Sequence, residues 1–265
     1  MTGAGPAAPA APSTGRLVLV PTPLDLGAAP QPLDAVLPAA VLRQAAAITQ
    51  WAVEDARSAR AFLKRVGEAV PLAQPLQALQ IRELPRPRKG SGQAVPAAEW
   101  QALLAPTALG ADVGLLSEAG LPAVADPGAA LVAAAHAAGV QVLPLAGPSS
   151  LLLALAASGL NGQSFAFVGY LPQEAAARVA RIRELEALSR RLGQAQLLIE
   201  TPYRNAALLA SLVATLAAAT RLSVSCGLTL PEGWTRSGPV AEWRLRPQAM
   251  PDRVPAVFAL QAPAA

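Results

Sequence analysis

The sequence predicts an α/β protein with two α/β domains: an N-terminal parallel sheet with flanking helices, and a smaller C-terminal mixed sheet. The clearest evidence lies in residues 112–150, where two short apolar runs, 113–116 and 140–145, alternate with helical segments. Short unbroken apolar runs are typical of strands buried on both faces of a parallel sheet. Strands and helices alternate less regularly after Gly147, which favours a mixed second sheet and places the domain boundary there.

The composition indicates a large core and limits the possible chemistry. Apolar residues make up 53% of the chain and charged residues 14%, which excludes general disorder. The single cysteine, Cys226, excludes an internal disulfide, and one histidine with one cysteine does not supply a zinc site, so no metal is expected. The net charge of +4 permits an anionic partner but does not require one.

Residues 1–14 are predicted to form a flexible tail, because proline, glycine and alanine bury too little surface to offset the cost of ordering. They lack the basic start and apolar stretch of a signal peptide. The longest apolar helical stretch, residues 206–219, is shorter than the roughly 20 residues that a bilayer requires. We therefore expect a cytoplasmic protein without membrane contact, in which residues 15–147 and 148–265 form the two domains.

The first domain follows from its apolar runs and turn residues. Strands are predicted at 16–20 and 48–53, and helices at 33–47, 56–66 and 97–109. Residues 71–96 are rich in proline and basic residues and are predicted to be a surface loop. The loop cations, among them Arg86 and Arg88, either hold phosphates or are simply solvated.

The charged residues after the second strand allow two interpretations. Glu54 and Arg57 either contact a ligand at the strand end, or belong to a helix start in which Asp55 is a structural N-cap. The sequence leaves these two alternatives open.

The second domain is predicted from the same signals. Helices are expected at 151–157, 174–192 and 206–218, strands at 164–168, 196–199, 222–226 and 255–261, and an extended, turn-like stretch at 234–243.

The usual catalytic motifs are absent from the sequence. There is no matched Ser-His-Asp set, no phosphate-binding Walker loop and no Gly-x-Gly-x-x-Gly. Turns of small residues at predicted strand ends remain, at 117–120, 125–128, 146–150, 169–172, 200–205 and 255–256. Small residues let the main chain approach a bulky ligand closely, which suits a nucleoside-like cofactor.

Four ordered motifs resemble a known family. LLSEAGLPAVADPG (115–128), PLAGPSS (144–150), FVGYLP (167–172) and IETPYRN (199–205) are similar to motifs of the tetrapyrrole methylase-like superfamily, and within it to relatives of ribosomal RNA small-subunit methyltransferase I. The resemblance spans about residues 16–261. It implies an S-adenosylmethionine-dependent methyltransferase, usually a homodimer, with the cofactor in a cleft between two α/β domains.

The resemblance also assigns residues to roles. Catalytic groups near the methyl group would be Glu118, Glu200 and Arg204, with Asp126 close by. The substrate contacts are expected from the charged residues themselves, at Glu54, Arg57, Arg86 and Arg88. The cofactor would be lined by Pro23, Ser117, Glu118, Ala119, Gly120, Val124, Asp126, Ser149, Ser150, Tyr203, Leu228, Pro255 and Ala256.

The chain also departs from the family pattern, mainly on the substrate side. Its Glu54-Asp55-Ala56-Arg57 stands where the family has Glu-Asp-Thr-Arg, and Leu-Pro-Arg-Pro-Arg (84–88) replaces a stretch rich in His and Glu. It resembles a short paralogous branch without a C-terminal extension that grips RNA. The expected acceptor is a ribose 2′-hydroxyl of ribosomal RNA. The alternatives are methylation of a tetrapyrrole or other small molecule, or cofactor binding without catalysis.

Overall fold

A computed structural model describes residues 14–25, 31–87 and 94–264. The chain divides into two compact units, a first unit that ends at Pro148 and a second unit that begins at Ser149. The predicted tail, residues 1–14, lies outside the described residues except for Thr14.

The first unit is built on a parallel sheet. Its strands are β1 (Leu17–Leu19), β2 (Gln50–Val53), β3 (Gln80–Glu83), β4 (Val113–Leu116) and β5 (Val142–Pro144), in the order β3-β2-β4-β1-β5. Every described pairing in this sheet is parallel. The helices are α1 (Ala39–Ala47), α2 (Ala56–Ala69), α3 (Ala97–Leu104) and α4 (Ala129–Ala137).

Alternate strand residues of this sheet enter two separate cores. Val18 and Trp51 pack in the core that contains Leu42 of α1 and Leu63 of α2. Leu17 and Ala52, their chain neighbours, pack in the core that contains Leu131 of α4. Because successive strand side chains point to opposite faces, the sheet is covered on both sides, as the unbroken apolar runs predict.

The prediction for residues 71–96 was wrong in one respect. This stretch contains the edge strand β3 as well as loop. Three of the four β3 residues are exposed, so the strand has no apolar run, and Ile81 is its one half-buried side chain. A strand at the edge of a sheet is often polar in this way, which hides it from a search for apolar runs.

The second unit is mixed, as predicted. It contains β6 (Phe165–Phe167), β7 (Ala195–Ile199), β8 (Arg221–Cys226), β9 (Trp234–Pro239) and β10 (Ala256–Gln261), in the order β6-β7-β10-β8-β9. The β6–β7 pair is parallel and the other pairs are antiparallel. This sheet has five described strands, as many as the first. The stretch 234–243 is more regular than predicted, because β9 is followed directly by a short helix, α8 (Val240–Leu245).

Helices cover both faces of the second sheet. They are α5 (Ser150–Ser158), α6 (Ala175–Leu192) and α7 (Asn205–Thr215). Leu155 of α5 packs with Val257 of β10, whereas Ile182 of α6 and Leu212 of α7 pack with Phe258. Cys226 is buried in the latter core, and this burial raises the pKa of its thiol, as expected for a structural cysteine.

No helix within the described residues has both the length and the apolar character needed to span a bilayer. The predicted order of strand, loop, helix, strand, loop and helix in residues 112–150 is confirmed by β4, α4, β5 and the start of α5.

Candidate functional site

The carboxyl ends of β1, β2 and β4 meet at one edge of the first sheet. Glu54, directly after β2, donates its backbone N–H to the carbonyl of Leu116 at 3.1 Å. Thr22, shortly after β1, exchanges two backbone hydrogen bonds with Gly120, at 2.9 and 3.1 Å. The loop after β4 is therefore held against the ends of both neighbouring strands, at the edge where open parallel sheets bind their ligands.

Gly120 is required by the backbone of this loop. Its φ of +81° is a left-handed conformation that glycine adopts without steric cost. Further along the same loop, Ala123 and Ala125 also have positive φ angles, of 67° and 63°. The left-handed conformation is energetically unfavourable for alanine, and backbone strain of this kind is concentrated at functional sites.

Three carboxyl groups lie together at this edge, and we call Glu54, Glu118 and Asp126 the carboxyl cluster. The Glu54 carboxylate accepts a hydrogen bond from the backbone N–H of Glu118 at 3.2 Å, although the two residues are 64 positions apart. Burial raises the pKa of Asp126 to about 6, helped by the negative charges of Glu54 and Glu118. Burial and the charges of Glu54 and Asp55 likewise raise the pKa of Glu118, while Arg86 opposes that increase.

The Ser117 hydroxyl faces this cluster. Ser117 is 5% exposed, and its Oγ is enclosed by the protein. It lies near enough to the Asp126 carboxyl to lower that group's pKa, against the larger effect of burial.

Besides Glu54, the predicted substrate contact Arg86 reaches the same edge. The Arg86 guanidinium donates to the backbone carbonyl of Glu54 at 3.1 Å. Arg57 is exposed in the first turn of α2. Asp55 caps that helix by accepting a hydrogen bond from the Ser58 N–H at 2.7 Å. Asp55 is therefore a structural N-cap, which was one of the two interpretations of this segment. Arg88 lies outside the described residues.

In the second unit, Glu200 and Arg204 form a tight ion pair at 2.6 Å. The same carboxylate oxygen also accepts from the backbone N–H and the hydroxyl of Thr201, at 2.7 and 3.2 Å. The pKa of the Arg204 guanidinium is raised, chiefly by its hydrogen bond to Glu200. These contacts hold the turn after β7 together.

The remaining predicted cofactor contacts of the second unit share one edge of its sheet. Tyr203 and Leu228 follow the carboxyl ends of β7 and β8, and Ala256 opens β10. Because β10 is antiparallel to both neighbours, its first residues lie beside the ends of those strands. Tyr203 is largely exposed, Leu228 is half-buried, Pro255 is exposed and Ala256 is buried.

Ser149 and Ser150 lie at the start of α5, in the second unit. In the first unit, Pro23 is buried beside Thr22, and Val124 is exposed between the two left-handed alanines.

Sequence reasoning missed Thr22, which secures the loop through Gly120. The Pro-Thr-Pro turn that contains Thr22 was the sequence pattern that could have indicated its role.

Known proteins are similar in sequence to this chain over most of its length. The chain is 34% identical over 221 residues to ribosomal RNA small subunit methyltransferase I of Mesorhizobium japonicum, in an alignment that covers 83% of this chain and 66% of that protein. It is 35% identical over 222 residues to the protein of the same name from Mycobacterium bovis, covering 82% of this chain and 67% of that protein.

The chain belongs to the ribosomal RNA small subunit methyltransferase I family.

The chain spans 66% and 67% of the length of these two relatives, and 58% of the length of the protein of the same name from Pseudomonas aeruginosa. No family model matches the chain. Among solved structures, the methyltransferase CobJ is similar with a TM-score of 0.55 and 17% identity, covering 94% of this chain and 100% of that chain. This likeness confirms the predicted fold class.

Proposed function

We propose that the chain is an S-adenosylmethionine-dependent methyltransferase whose acceptor is a ribose 2′-hydroxyl of ribosomal RNA. The observation that carries the proposal is the identity of 34–35% with relatives named ribosomal RNA small subunit methyltransferase I. An RNA substrate implies a cytoplasmic location, which belongs to the same proposal.

The first-unit edge fits this cofactor. Ala119 and Gly120 add little side-chain bulk to the loop after β4, and the Ser117 hydroxyl lies beside the Asp126 carboxyl. The cofactor supplies a methyl group on a positively charged sulfur, and the carboxyl cluster provides opposite charge. We propose that Pro23, Ser117–Gly120, Val124 and Asp126 hold it. Contacts between the cofactor and the second unit remain a prediction. The residues predicted to make them are Ser149, Ser150, Tyr203, Leu228, Pro255 and Ala256.

Glu118 is the stronger of the two predicted bases. Its pKa is raised, which brings a carboxylate closer to the basicity needed to accept a proton from a hydroxyl. Glu200 instead accepts three hydrogen bonds on one oxygen and is paired with Arg204. We propose that Glu200 and Arg204 maintain the turn after β7, and that Glu118 acts on the acceptor.

The test is methyl transfer from labelled S-adenosylmethionine to small-subunit ribosomal RNA. We expect purified protein to label RNA from a strain lacking the gene for this chain, and to leave RNA from the parent strain unlabelled because its site is already methylated. Equal labelling of both RNAs, or of neither, contradicts the RNA acceptor. Cofactor binding without any transfer would support the non-catalytic alternative, and transfer to an added porphyrinoid would support the small-molecule alternative.

The proposal includes a second copy of this chain as partner. Residues 127–173 contain no Asp, Glu, Lys or Arg, and this stretch includes α5 and β6 of the second unit. Phe165 and Phe167 pair with Ala195 and Leu197, so they share the sheet face that α5 covers. Both are exposed, and Leu152 of α5 is 53% exposed. An uncharged apolar face suits a copy of itself, whereas RNA requires cations.

Leu152→Arg is expected to convert the dimer to a monomer, because it places two like charges in a symmetric apolar interface. Sedimentation velocity at micromolar concentrations measures this change. The control is Leu245→Arg on α8, whose side chain is 81% exposed. A native chain that sediments as a monomer, or a Leu152→Arg chain that remains a dimer, contradicts the assignment of this face.

A further inference from the structure

A row of cations lies along the exposed face of α2, and we call Arg57, Arg60 and Lys64 the α2 stripe. Their spacing of three and four residues places them on one face of a helix. All three are exposed, whereas Phe62 and Val66 of the same helix are buried. At a rise of 1.5 Å per residue, the three charges extend over about 10 Å of the helix axis.

The nearby carboxylates are used by the start of the helix. Asp55 accepts a hydrogen bond from the Ser58 N–H at 2.7 Å, and Glu83 of β3 accepts one from the Ala56 N–H at 2.9 Å. The hydrogen bonds from Ser58 lower the pKa of Asp55, and the charge of Arg57 makes the smallest contribution to that decrease. Within residues 14–25, 31–87 and 94–264, no side chain of the α2 stripe forms an ion pair.

The α2 stripe is unfavourable for the helix that carries it. Like charges three and four residues apart repel each other, and Arg57 lies in the first turn, at the positive end of the helix dipole. Arg65, which is also on α2, instead pairs with Asp25 at 3.1 Å and donates to the Gln31 carbonyl at 2.9 Å. Unpaired cations that repel one another are stabilised when an anionic partner binds.

The α2 stripe begins close to the edge that holds the candidate site. Arg57 follows Glu54 by three residues, a distance of at most about 10 Å, and the Glu54 N–H is bonded to the Leu116 carbonyl at the end of β4. Arg86 is exposed at the same edge and donates one of its N–H groups to the Glu54 carbonyl. From this edge α2 returns along the sheet, as the connection between two parallel strands requires.

We propose that the α2 stripe binds the phosphates of the RNA strand that carries the methyl acceptor. The inference rests on the proposed function and adds a binding surface to the same site. Phosphate contacts fix the position of a nucleic acid strand without reading its sequence. The exposed uncharged residues of α2 are Ala61, Gly67 and Ala69, so this face lacks the large apolar side chains of a membrane-binding helix.

The salt dependence of RNA binding tests this inference. The probe is a short fluorescent single-stranded RNA, because phosphate contacts do not depend on sequence. The triple variant Arg57→Gln/Arg60→Gln/Lys64→Gln should bind it about tenfold more weakly at about 50 mM salt. Its plot of log K against log salt should be shallower by about 2, since each phosphate contact to a single strand contributes about 0.7. Fluorescence anisotropy between about 50 and 200 mM salt measures both quantities.

A matched control removes the same charge elsewhere. The triple variant Arg183→Gln/Arg190→Gln/Arg191→Gln changes three exposed arginines of α6 and should leave the affinity and the salt slope close to their native values. The double variant Arg57→Lys/Arg60→Lys keeps the charges of the α2 stripe and should retain the native slope. Circular dichroism checks that each variant is folded.

Methyl transfer to small-subunit ribosomal RNA shows whether this surface serves the proposed reaction. The α2 triple variant should raise the KM for RNA about tenfold, because the lost contacts bind substrate and transition state alike. Its affinity for S-adenosylmethionine, measured by calorimetry, should equal that of the native chain. A raised KM with unchanged cofactor affinity separates a substrate surface from damage to the fold.

The outcomes separate this inference from the proposed function. If the native chain methylates RNA and the α2 triple variant keeps the native KM and salt slope, the proposed function stands and the inference is overturned. Equal losses in the two triple variants also overturn it, because only net charge would then matter. A salt slope that depends on the α2 stripe, without methyl transfer to any RNA, supports the stripe and contradicts the proposed function. If the α2 triple variant loses binding to anionic phospholipid vesicles and retains RNA binding, the stripe is a membrane surface and the inference is overturned.

Discussion

Gly120→Val is expected to lower the rate of methyl transfer about a hundredfold while the chain stays folded. Gly120 has a φ of +81°, and an added Cβ would lie 3.2 Å from Cδ2 of Leu24. A β-branched side chain is an outlier at such a φ, so the loop has to shift. The two hydrogen bonds to Thr22 would be disturbed, and Ser117 and Glu118 would move with the loop. Single-turnover transfer at saturating cofactor and RNA measures the loss.

Gly139→Val is the matched control for this prediction. Gly139 also has a left-handed φ, of +69°, but an added Cβ there meets no atom within 4 Å. Both variants should therefore lose about 1–2 kcal/mol of stability from backbone strain, and activity should fall only in Gly120→Val. Equal activities in the two variants would contradict the role given to the loop after β4.

Gly114→Val is expected to lower the free energy of unfolding of the first unit by about 3 kcal/mol. Gly114 of β4 lies in register with Trp51 of β2, and an added Cβ would lie 2.4 Å from two carbons of the Trp51 ring. That ring is 2% exposed, and its indole N–H donates to the Ile48 carbonyl at 3.1 Å, so it has little freedom to move. Hydrogen exchange of the β2 and β4 amides, followed in urea, reports this unit separately.

Gly162→Val provides the comparison for the packing effect. An added Cβ at Gly162 meets no atom within 4 Å, and its φ lies outside the left-handed region, so stability should change by less than about 0.5 kcal/mol. Combining Gly114→Val with Trp51→Leu should recover part of the loss, because the smaller side chain makes room. A Gly114→Val chain as stable as Gly162→Val would show that Trp51 adapts without cost.

The strands and helices with clear local signals were predictable. The apolar runs of β4 and β5 are bounded by turn residues, and Asp55 begins α2 through its own side chain. β3 was missed because its stability comes from pairing with β2, while its exposed Arg82 and Glu83 resemble a loop. Pairing of this kind depends on a partner distant in sequence and leaves no local pattern.

The sequence by itself determined the class of fold, the turns at the strand ends and the identity of the residues placed there, because short-range patterns of apolar and turn residues specify such features. Only the tertiary structure decided that Glu54 meets Glu118 across 64 positions, that Thr22 secures Gly120, and that Ser117 is buried beside Asp126. The raised pKa of Asp126 has the same origin, since burial and neighbouring charges depend on the position of a carboxyl in space.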